Sequence, residues 1–342
     1  MIRITASALM LAASACFALP SLAQEEQNFR ITQVFAATHW HWTEGMEFFT
    51  KQVEEASGGK ITFEPYHAGQ LGQDSTQLVT SGLADMGLLV PSYEAEKLPL
   101  TTVTELPGFH RTACEGTAMY WKLAQPGGAL YENEYKPLGV HPLYVILLPP
   151  YQLATSTKKV TNLDELSGLK IRANGAAMDK TVRDLGAVPV RVTTNELYDS
   201  LSRGTVDGAF WIIGTTKLVG LEKLLRYTVQ GPLLGAGSTF FAISEDKWES
   251  LDDETKRILT EAGLKTQEHL CQYLDDTDAR VAKELVDEGN LEVTHLTDAE
   301  AAVWAERIKT VPEEWAEEMD STGRPGAAVL EAFREAAANE TN

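Results

Sequence analysis

The chain has 342 residues, and 49 acidic residues outnumber 29 Lys and Arg, which gives a formal net charge of −20 at pH 7. A field of that sign repels polyanions and anionic lipid, which argues against nucleic acid as a partner and against adsorption to a membrane surface. Screening over about 8 Å at physiological salt limits this repulsion, so a local arginine can still bind a small anion. The length exceeds one usual hydrophobic core and predicts two lobes.

The N-terminal segment has the pattern of a secretory signal peptide. Arg3 precedes an apolar run over residues 6–19, and Ser21-Leu22-Ala23 supplies small residues ahead of an acidic segment. The run is shorter than the roughly 18 apolar residues that a membrane helix needs. We therefore expect cleavage after Ala23, so that residues 1–23 are removed and a soluble protein is exported to the periplasm.

Strands and helices alternate in the next part of the chain. The patterns predict strands over 29–35, 60–66 and 85–90, with helices over 46–56 and 75–81 between them. Alternation of this kind predicts a mostly parallel sheet covered by helices, the α/β class.

The run Thr38-His39-Trp40-His41-Trp42 lies between the first strand and the first helix. His39 and His41 suggest a metal site, but no third ligand follows nearby, whereas a catalytic zinc needs three protein ligands and a structural zinc four. We therefore expect these residues to line a cleft, and we expect neither a metal nor a cofactor.

Residues 91–150 complete the predicted first lobe, with a helix over 114–123, a strand over 144–148 and a first crossing between lobes at Pro149-Pro150. Cys114 and Cys271 are the cysteines beyond the predicted cleavage site. An oxidising compartment permits a disulfide between them, but sequence spacing does not give their distance. Isolated cysteines are often simply buried small apolar residues, and we favour that alternative over a disulfide.

Residues 169–211 have the pattern strand, helix, strand, helix, strand. Thr193 and Glu196 have the spacing of a capping box that opens the second helix. Ligands bind at the carboxyl ends of strands in open α/β sheets, and Arg172 lies at such an end. A guanidinium pairs with a carboxylate or sulfonate through two parallel hydrogen bonds. Arg172 is thus a candidate anion ligand, although position alone favours a surface salt bridge equally.

A glycine and an aspartate recur ahead of two apolar strands, in Gly82-Leu83-Ala84-Asp85 and in Gly204-Thr205-Val206-Asp207. A helix end, a short turn and a buried strand explain both occurrences. We therefore interpret Asp85 and Asp207 as structural residues, and the repeat as a sign of two similar lobes.

After residue 237 the chain is predicted to return to the first lobe through a strand over 238–243. A long amphipathic helix capped by Asp252 follows. A capping box at Thr297 and Glu300 opens a further helix. That helix carries four apolar residues spaced by four, three and four positions, which we interpret as core: Trp304, Ile308, Val311 and Trp315.

Sequence motifs of enzyme active sites are missing: there is no GxSxG, HExxH, P-loop or GxGxxG pattern. The many carboxylates leave a glycoside hydrolase, with two acidic residues in a cleft, as one alternative. A receptor for an ATP-driven importer, or one that presents its ligand to a sensor, is another.

The runs GLKIR, GAVPV and NELYDSLSRGTVDGAF together resemble the signature of the solute receptors of tripartite ATP-independent periplasmic (TRAP) transporters. The resemblance implies a two-lobed periplasmic binding protein with a long helix bridging the lobes. It also implies a monomer that hands a small organic anion to integral-membrane permease subunits. We expect lobe I over 27–149 and 237–276, and lobe II over 150–236 and 277–342.

The resemblance also implies the ligand site. Arg172 falls on the arginine that holds the ligand carboxylate in that family, and Thr194, Phe35 and Trp40 match ligand-facing positions. We expect Tyr151, Gln152 and Trp211 to complete the cleft.

Three positions depart from subgroups of the family. Gln152 replaces a second arginine of sialic-acid receptors, Trp211 an asparagine, and Phe210 a metal-holding carboxylate. We therefore expect a compact ligand, and neither a sialate nor a metal-bridged keto acid.

Overall fold

The structure is a computed structural model that describes residues 26–340. The predicted signal peptide therefore lies outside the described residues. Within residues 26–340 the strands form one five-stranded and one six-stranded sheet, each with helices packed against it. The predicted α/β architecture of two lobes is confirmed. None of the described helices combines the length and the apolar composition that a bilayer span requires.

The strands in chain order are β1 (Gln27–Thr32), β2 (Ile61–Tyr66), β3 (Met86–Leu89), β4 (Val140–Leu147), β5 (Gln152–Thr155), β6 (Lys170–Ala173), β7 (Val188–Arg191), β8 (Gly208–Trp211), β9 (Tyr227–Gln230), β10 (Ser238–Ser244) and β11 (Glu292–His295). The first lobe has the strand order β2-β1-β3-β10-β4 and the second has β11-β9-β5-β8-β6-β7. In the first sheet, β1 is parallel to β2 and β3, while β10 is antiparallel to its neighbours. The predicted return of 238–243 to the first lobe is confirmed.

The helices in chain order are α1 (Glu47–Ala56), α2 (Ser75–Thr80), α3 (Ala113–Ala124), α4 (Lys136–Leu138), α5 (Ala176–Asp184), α6 (Thr194–Ser202), α7 (Glu245–Ser250), α8 (Asp253–Asp287), α9 (Asp298–Ile308), α10 (Val311–Ser321) and α11 (Gly326–Glu340). The strand-helix pattern predicted for 169–211 is confirmed as β6-α5-β7-α6-β8. Both capping boxes form, at Thr193 with Glu196 and at Thr297 with Glu300. Short-range sequence signals therefore placed these helix starts correctly.

Helix α8 contacts both lobes on neighbouring turns. Asp275 accepts hydrogen bonds from the backbone nitrogens of Ala113 at 2.6 Å and Cys114 at 3.1 Å, where α3 of the first lobe begins. Asp278 accepts one from the backbone nitrogen of Gly214 at 2.7 Å, shortly after β8 of the second lobe. A carboxylate is favourable at a helix N-terminus, where backbone N–H groups are free. The long helix therefore bridges the lobes, as predicted.

The disulfide that sequence reasoning did not favour is present. Cys114 and Cys271 are bonded, with their Cα atoms 4.8 Å apart. The bond joins α3 to α8 one turn before Asp275. A disulfide that closes a long loop typically contributes about 2–5 kcal/mol to stability. The bridging helix is thus tied covalently to the first lobe.

Two chain segments connect the sheets side by side. The first runs from β4 to β5 through Pro149-Pro150, the predicted crossing, and the second runs from β9 to β10. They are hydrogen-bonded to each other, from the nitrogen of Leu148 to the oxygen of Gly237 at 2.9 Å and from Tyr151 to Gly235 at 2.8 Å. Paired crossing segments are the natural hinge of a two-lobed protein.

The recurring aspartates have the same role in each lobe. Asp85 accepts a hydrogen bond from the backbone nitrogen of Arg30 at 2.9 Å, and Asp207 accepts one from Lys170 at 2.8 Å. Their own backbone nitrogens donate to the carbonyl oxygens of the same two residues. Each aspartate fastens a turn to the neighbouring strand, which supports the structural interpretation.

One helix prediction was wrong at the C-terminus. The apolar stripe that includes Trp304 and Trp315 lies on two helices, α9 and α10, because Pro312 in the first turn of α10 has no N–H to continue α9. Both tryptophans are buried, as core residues should be.

Helix α11 also departs from the predicted division, which assigned residues 277–342 to the second lobe. It packs against α3 of the first lobe, with the rings of Phe109 and Phe333 4.9 Å apart. Its apolar face must be buried somewhere, and α3 offers the complementary surface. Helix α11 therefore returns to the first lobe.

Candidate ligand-binding site

Arg172 lies in β6, one residue before the strand ends, and only 2% of its surface is exposed. Its Nε donates to the carbonyl oxygen of Val192 at 3.0 Å, and its Nη1 donates to that of Phe210 at 3.3 Å. Its Nη2 donates to the hydroxyl of Thr194 at 3.4 Å. The loop after β7, strand β8 and the start of α6 together position the guanidinium.

Asn174 supports the same guanidinium from the turn after β6. In the amide orientation that satisfies its hydrogen bonds, its nitrogen donates to the carbonyl oxygens of Ala173 at 3.1 Å and Val192 at 2.7 Å, and its oxygen accepts from Arg172. Arg172 and Asn174 therefore share the carbonyl of Val192, which fixes both side chains in the cleft.

The guanidinium of Arg172 has no ion-pair partner within residues 26–340. Its hydrogen-bond acceptors are backbone carbonyls, a hydroxyl and an amide, all of them neutral. A buried charge is costly unless an opposite charge compensates it. The site thus presents a desolvated cation that an anionic ligand would neutralise.

Aromatic rings from the segment after β1 form the wall of the first lobe. The ring of Phe35 stacks on His39 at 4.4 Å and on His41 at 4.8 Å, and His41 lies 3.6 Å from the ring of Trp40. Burial lowers the pKa of His39 to about 4, and it lowers the pKa of His41 well below 6.5. Both histidines are therefore neutral near pH 7 and extend the apolar wall.

Tyr151 enters the cleft from the first crossing segment. A Cβ at Gly237 would overlap its hydroxyl, so the close approach of this ring requires glycine there. Burial raises the pKa of Tyr151 to about 12, although the neighbouring Arg172 opposes the shift. The hydroxyl therefore stays protonated beside the guanidinium.

Trp211, the last residue of β8, forms the wall on the second lobe. It is 5% exposed, and the Cζ of Arg172 lies 5.5 Å from its ring centroid, which is cation–π distance. Its Nε1 has no hydrogen-bond partner in the described chain. The same ring also packs among the core residues of the second lobe. The Trp211 side chain therefore forms part of the cleft wall and part of the core of the second lobe.

Six of the seven predicted site residues line one cleft between the lobes: Phe35, Trp40, Tyr151, Arg172, Thr194 and Trp211. Gln152 is not among the lining residues in the described part of the chain. It lies on β5, two strands from β6, and its Oε1 accepts a hydrogen bond from the hydroxyl of Thr228 on β9 at 3.1 Å. Its side chain is therefore held away from Arg172, and Gln152 is corrected to a sheet residue.

Sequence reasoning missed several polar lining residues, among them Tyr93, Asn174 and Thr239. Asn174 follows Arg172 by two positions and could have been found from the strand-end argument. Tyr93 follows β3, whose carboxyl end also faces the cleft. Thr239 lies in β10 and had no local signal, because only the sheet topology brings β10 beside the cleft.

The cleft is small. It leaves about 50 Å³ for the centres of water-sized molecules, whereas one water needs roughly 10–15 Å³. Residues 26–340 contain no group of three or more side chains placed to hold a metal ion. The arrangement can recognise a compact anion by one cation, a few neutral donors and aromatic faces.

Comparisons with known proteins agree with this architecture. The chain matches the DctP family, described as "Bacterial extracellular solute-binding protein, family 7", over residues 33–318. The C4-dicarboxylate-binding protein DctB of Bacillus subtilis is 24% identical over 282 residues, covering 77% of this chain and 75% of that protein.

Two solved structures have the same fold. A TRAP solute-binding protein of Rhodoferax ferrireducens, in complex with copurified benzoate, has a TM-score of 0.82 at 23% identity over 92% of this chain and 98% of that one. The second is a marine-metagenome TRAP solute-binding protein specific for aromatic acid ligands, in complex with metahydroxyphenylacetate. It has a TM-score of 0.83 at 22% identity over 93% of this chain and 100% of that one. Since the family match spans most of the chain, this protein belongs to the DctP family, family 7 of the bacterial extracellular solute-binding proteins.

Proposed function

We propose that this protein is a periplasmic receptor that binds one small organic acid through Arg172 and delivers it to the membrane subunits of a TRAP-type transporter. The main support for this proposal is the buried guanidinium of Arg172, whose hydrogen-bond acceptors in the described chain are all neutral. A ligand carboxylate would supply the compensating charge and two acceptor oxygens.

Further donors from both lobes support an anion in this cleft. Trp211 Nε1 from the second lobe and Thr239 Oγ1 from the first are buried and have no partner in the described chain. Buried polar groups are nearly always hydrogen-bonded in native proteins. A ligand that contacts both would stabilise the closed arrangement of the lobes over the open one.

The lining favours a monoanion with a flat apolar body. Arg172 is the one permanently charged residue among the described lining residues, so a second carboxylate would be buried against aromatic rings without a cation. Aromatic acids fit such walls, and the benzoate and metahydroxyphenylacetate held by the two TRAP relatives support this class. A nine-carbon sugar acid such as sialate would exceed the available space.

Calorimetry with matched ligands tests the proposal. We expect benzoate to bind, whereas benzamide, which has the same shape without the charge, should bind at least about 30-fold more weakly. Succinate and sialate should also bind more weakly than benzoate. Equal affinity for benzoate and benzamide would show that Arg172 does not select an anion.

A transport assay tests delivery. We expect uptake of a labelled acid by cells carrying this receptor and TRAP permease subunits to require an ion gradient. Uptake that continues without the gradient and requires ATP would instead favour the ATP-driven importer. Family membership already fits a binding protein better than the glycoside hydrolase alternative.

A further inference from the structure

Glu105 ends a short 3₁₀ helix, Thr101–Glu105, in the first lobe. It is fully buried, and neither of its carboxylate oxygens has a hydrogen-bond partner in the described part of the chain. Buried carboxylates are almost always paired or protonated, because an isolated ionised group loses its hydration without compensation. The recognition of a ligand anion by Arg172 leaves this group unexplained.

The side chain of Glu105 lies between the lobes. A Cβ built at Gly175, the residue before α5 of the second lobe, would lie 2.5 Å from Glu105 Oε2. A Cβ at Gly235, in the second crossing segment, would overlap the carbonyl oxygen of Glu105. The carboxyl group therefore touches the second lobe, while its backbone touches the hinge. Its exclusion from water depends on the two lobes being together.

The charges around Glu105 come from the second lobe. Arg172 of β6 attracts its ionised form, whereas Asp179 of α5 repels it. Asp179 is itself buried, with Oδ2 accepting from Arg191 Nε at 2.8 Å and Oδ1 unpartnered in the described chain. Burial is the largest effect, and it raises the pKa of Glu105 well above 4.5.

The other elements near Glu105 add no cation that would hold it ionised. The phenols of Tyr120 on α3 and Tyr151 have pKa values raised above 10 by burial. Strand β10 contributes only apolar, serine and threonine side chains. On α11, Glu331 and Glu335 are exposed and Arg334 pairs with Glu313.

We propose that Glu105 is a proton-binding residue that couples lobe closure to pH. The closed receptor holds it as the neutral acid between Gly175 and the hinge, and opening returns it to water as a carboxylate. The proton comes from solvent on closing and goes back to solvent on opening. Because ligand binding drives closure, a consequence that rests on the proposed function is proton uptake on binding.

Lobe closure depends on pH because the pKa of Glu105 differs between the open and the closed form. In the open form Glu105 has an ordinary pKa near 4.5, and in the closed form the pKa is higher. Between the two values closure takes up a proton, so closure weakens as pH rises, by up to about tenfold per pH unit for one proton. His39 and His41 would release protons on closure and so oppose this proton uptake, but only below about pH 6.5, where a histidine in the open form becomes charged.

Small-angle scattering of the ligand-free protein tests the coupling without any ligand. Glu105→Gln mimics the neutral acid and should fold as the original does. We expect the radius of gyration of the original protein to increase as pH rises above about 7, away from histidine titration. That of Glu105→Gln should stay constant. Glu105→Met, also neutral, should behave like Glu105→Gln and guards against a folding defect of one variant.

Calorimetry with benzoate in two buffers of different ionisation enthalpy counts protons directly. We expect net proton uptake for the original protein, and close to none for Glu105→Gln. Glu94→Gln is the matched control, because Glu94 is a half-buried acid with a raised pKa that hydrogen-bonds Thr76 within the first lobe. Glu94→Gln should take up as many protons on benzoate binding as the original protein does.

The outcomes separate the two proposals. Equal proton uptake and equal scattering profiles for the original protein and Glu105→Gln would overturn the role of Glu105, even if benzoate binds well. Conversely, a pH-dependent radius that Glu105→Gln abolishes would uphold it, even if no organic acid binds and the receptor function fails.

Discussion

Tyr93 of the first lobe and Thr194 of the second are joined by two hydrogen bonds across the cleft. The hydroxyl of Tyr93 accepts from the backbone nitrogen of Thr194 at 3.0 Å and donates to its hydroxyl at 3.1 Å. That hydroxyl of Thr194 also accepts from Arg172. This contact between the lobes therefore ends on a residue that also positions the guanidinium of Arg172.

The first prediction concerns this contact. Tyr93→Phe keeps the ring but removes both hydrogen bonds, each worth about 0.5–1.5 kcal/mol, so benzoate affinity should fall by about 5- to 100-fold in calorimetry. Tyr120→Phe is the control, because its hydroxyl contacts Tyr135 at 2.8 Å inside the first lobe. The control should lower the melting temperature yet leave affinity unchanged. Unchanged affinity in Tyr93→Phe would mean that the contact does not stabilise the bound state.

The second prediction concerns Arg172. Arg172→Ala would leave a ligand carboxylate buried and unpaired, at a loss of about 2–5 kcal/mol in binding free energy. Arg172→Lys should recover only part of this, because an ammonium lacks the planar fork. Arg203→Ala removes an arginine whose side chain is 76% exposed, and it should leave the dissociation constant unchanged. Binding by Arg172→Ala within about threefold of the original would refute the assignment.

The third prediction concerns Trp211, which lines the cleft and packs in the second lobe. Benzoate should change the protein's fluorescence, and Trp211→Phe should abolish this change and weaken binding, because the indole N–H and part of the wall are lost. Trp315→Phe is the control, since Trp315 is buried in the core with its Nε1 bonded to Thr102 at 2.8 Å. It should lower the melting temperature only. If Trp211→Phe lowers the melting temperature but leaves the affinity for benzoate unchanged, Trp211 is a core residue only.

The fourth prediction concerns acid stability. The pKa of His39 falls from 6.5 to about 4 on folding, because burial disfavours the charged ring. The unfolded chain therefore binds more protons between these values, and the free energy of unfolding should decrease as pH falls from 6.5 towards 4. His39→Gln should make the melting temperature less dependent on pH over this range. His295→Gln, at an exposed position on β11, is the control and should keep the pH dependence of the original melting temperature. If His39→Gln also keeps that dependence, the prediction is contradicted.

Local sequence signals predicted much of the fold. Thr193 with Glu196, and Thr297 with Glu300, marked helix starts because a capping box is formed by residues three positions apart. Arg172 was predicted at a ligand edge because strand ends and sheet edges follow from the βα pattern. Gln152 lies outside the cleft lining, since β8 separates its strand from that of Arg172 and only the sheet order reveals this.

By itself, the sequence determined the α/β class, the order of most elements and the position of Arg172 near a strand end, because these depend on periodicity, caps and motifs within a few residues. Only the tertiary structure decided the Cys114–Cys271 bond, the contact between Tyr93 and Thr194, the packing of α11 on the first lobe and the burial of Glu105. Each of these joins segments far apart along the chain. Their free energies depend on distance and exclusion of water, which arise only when the two sheets and the bridging helix are assembled.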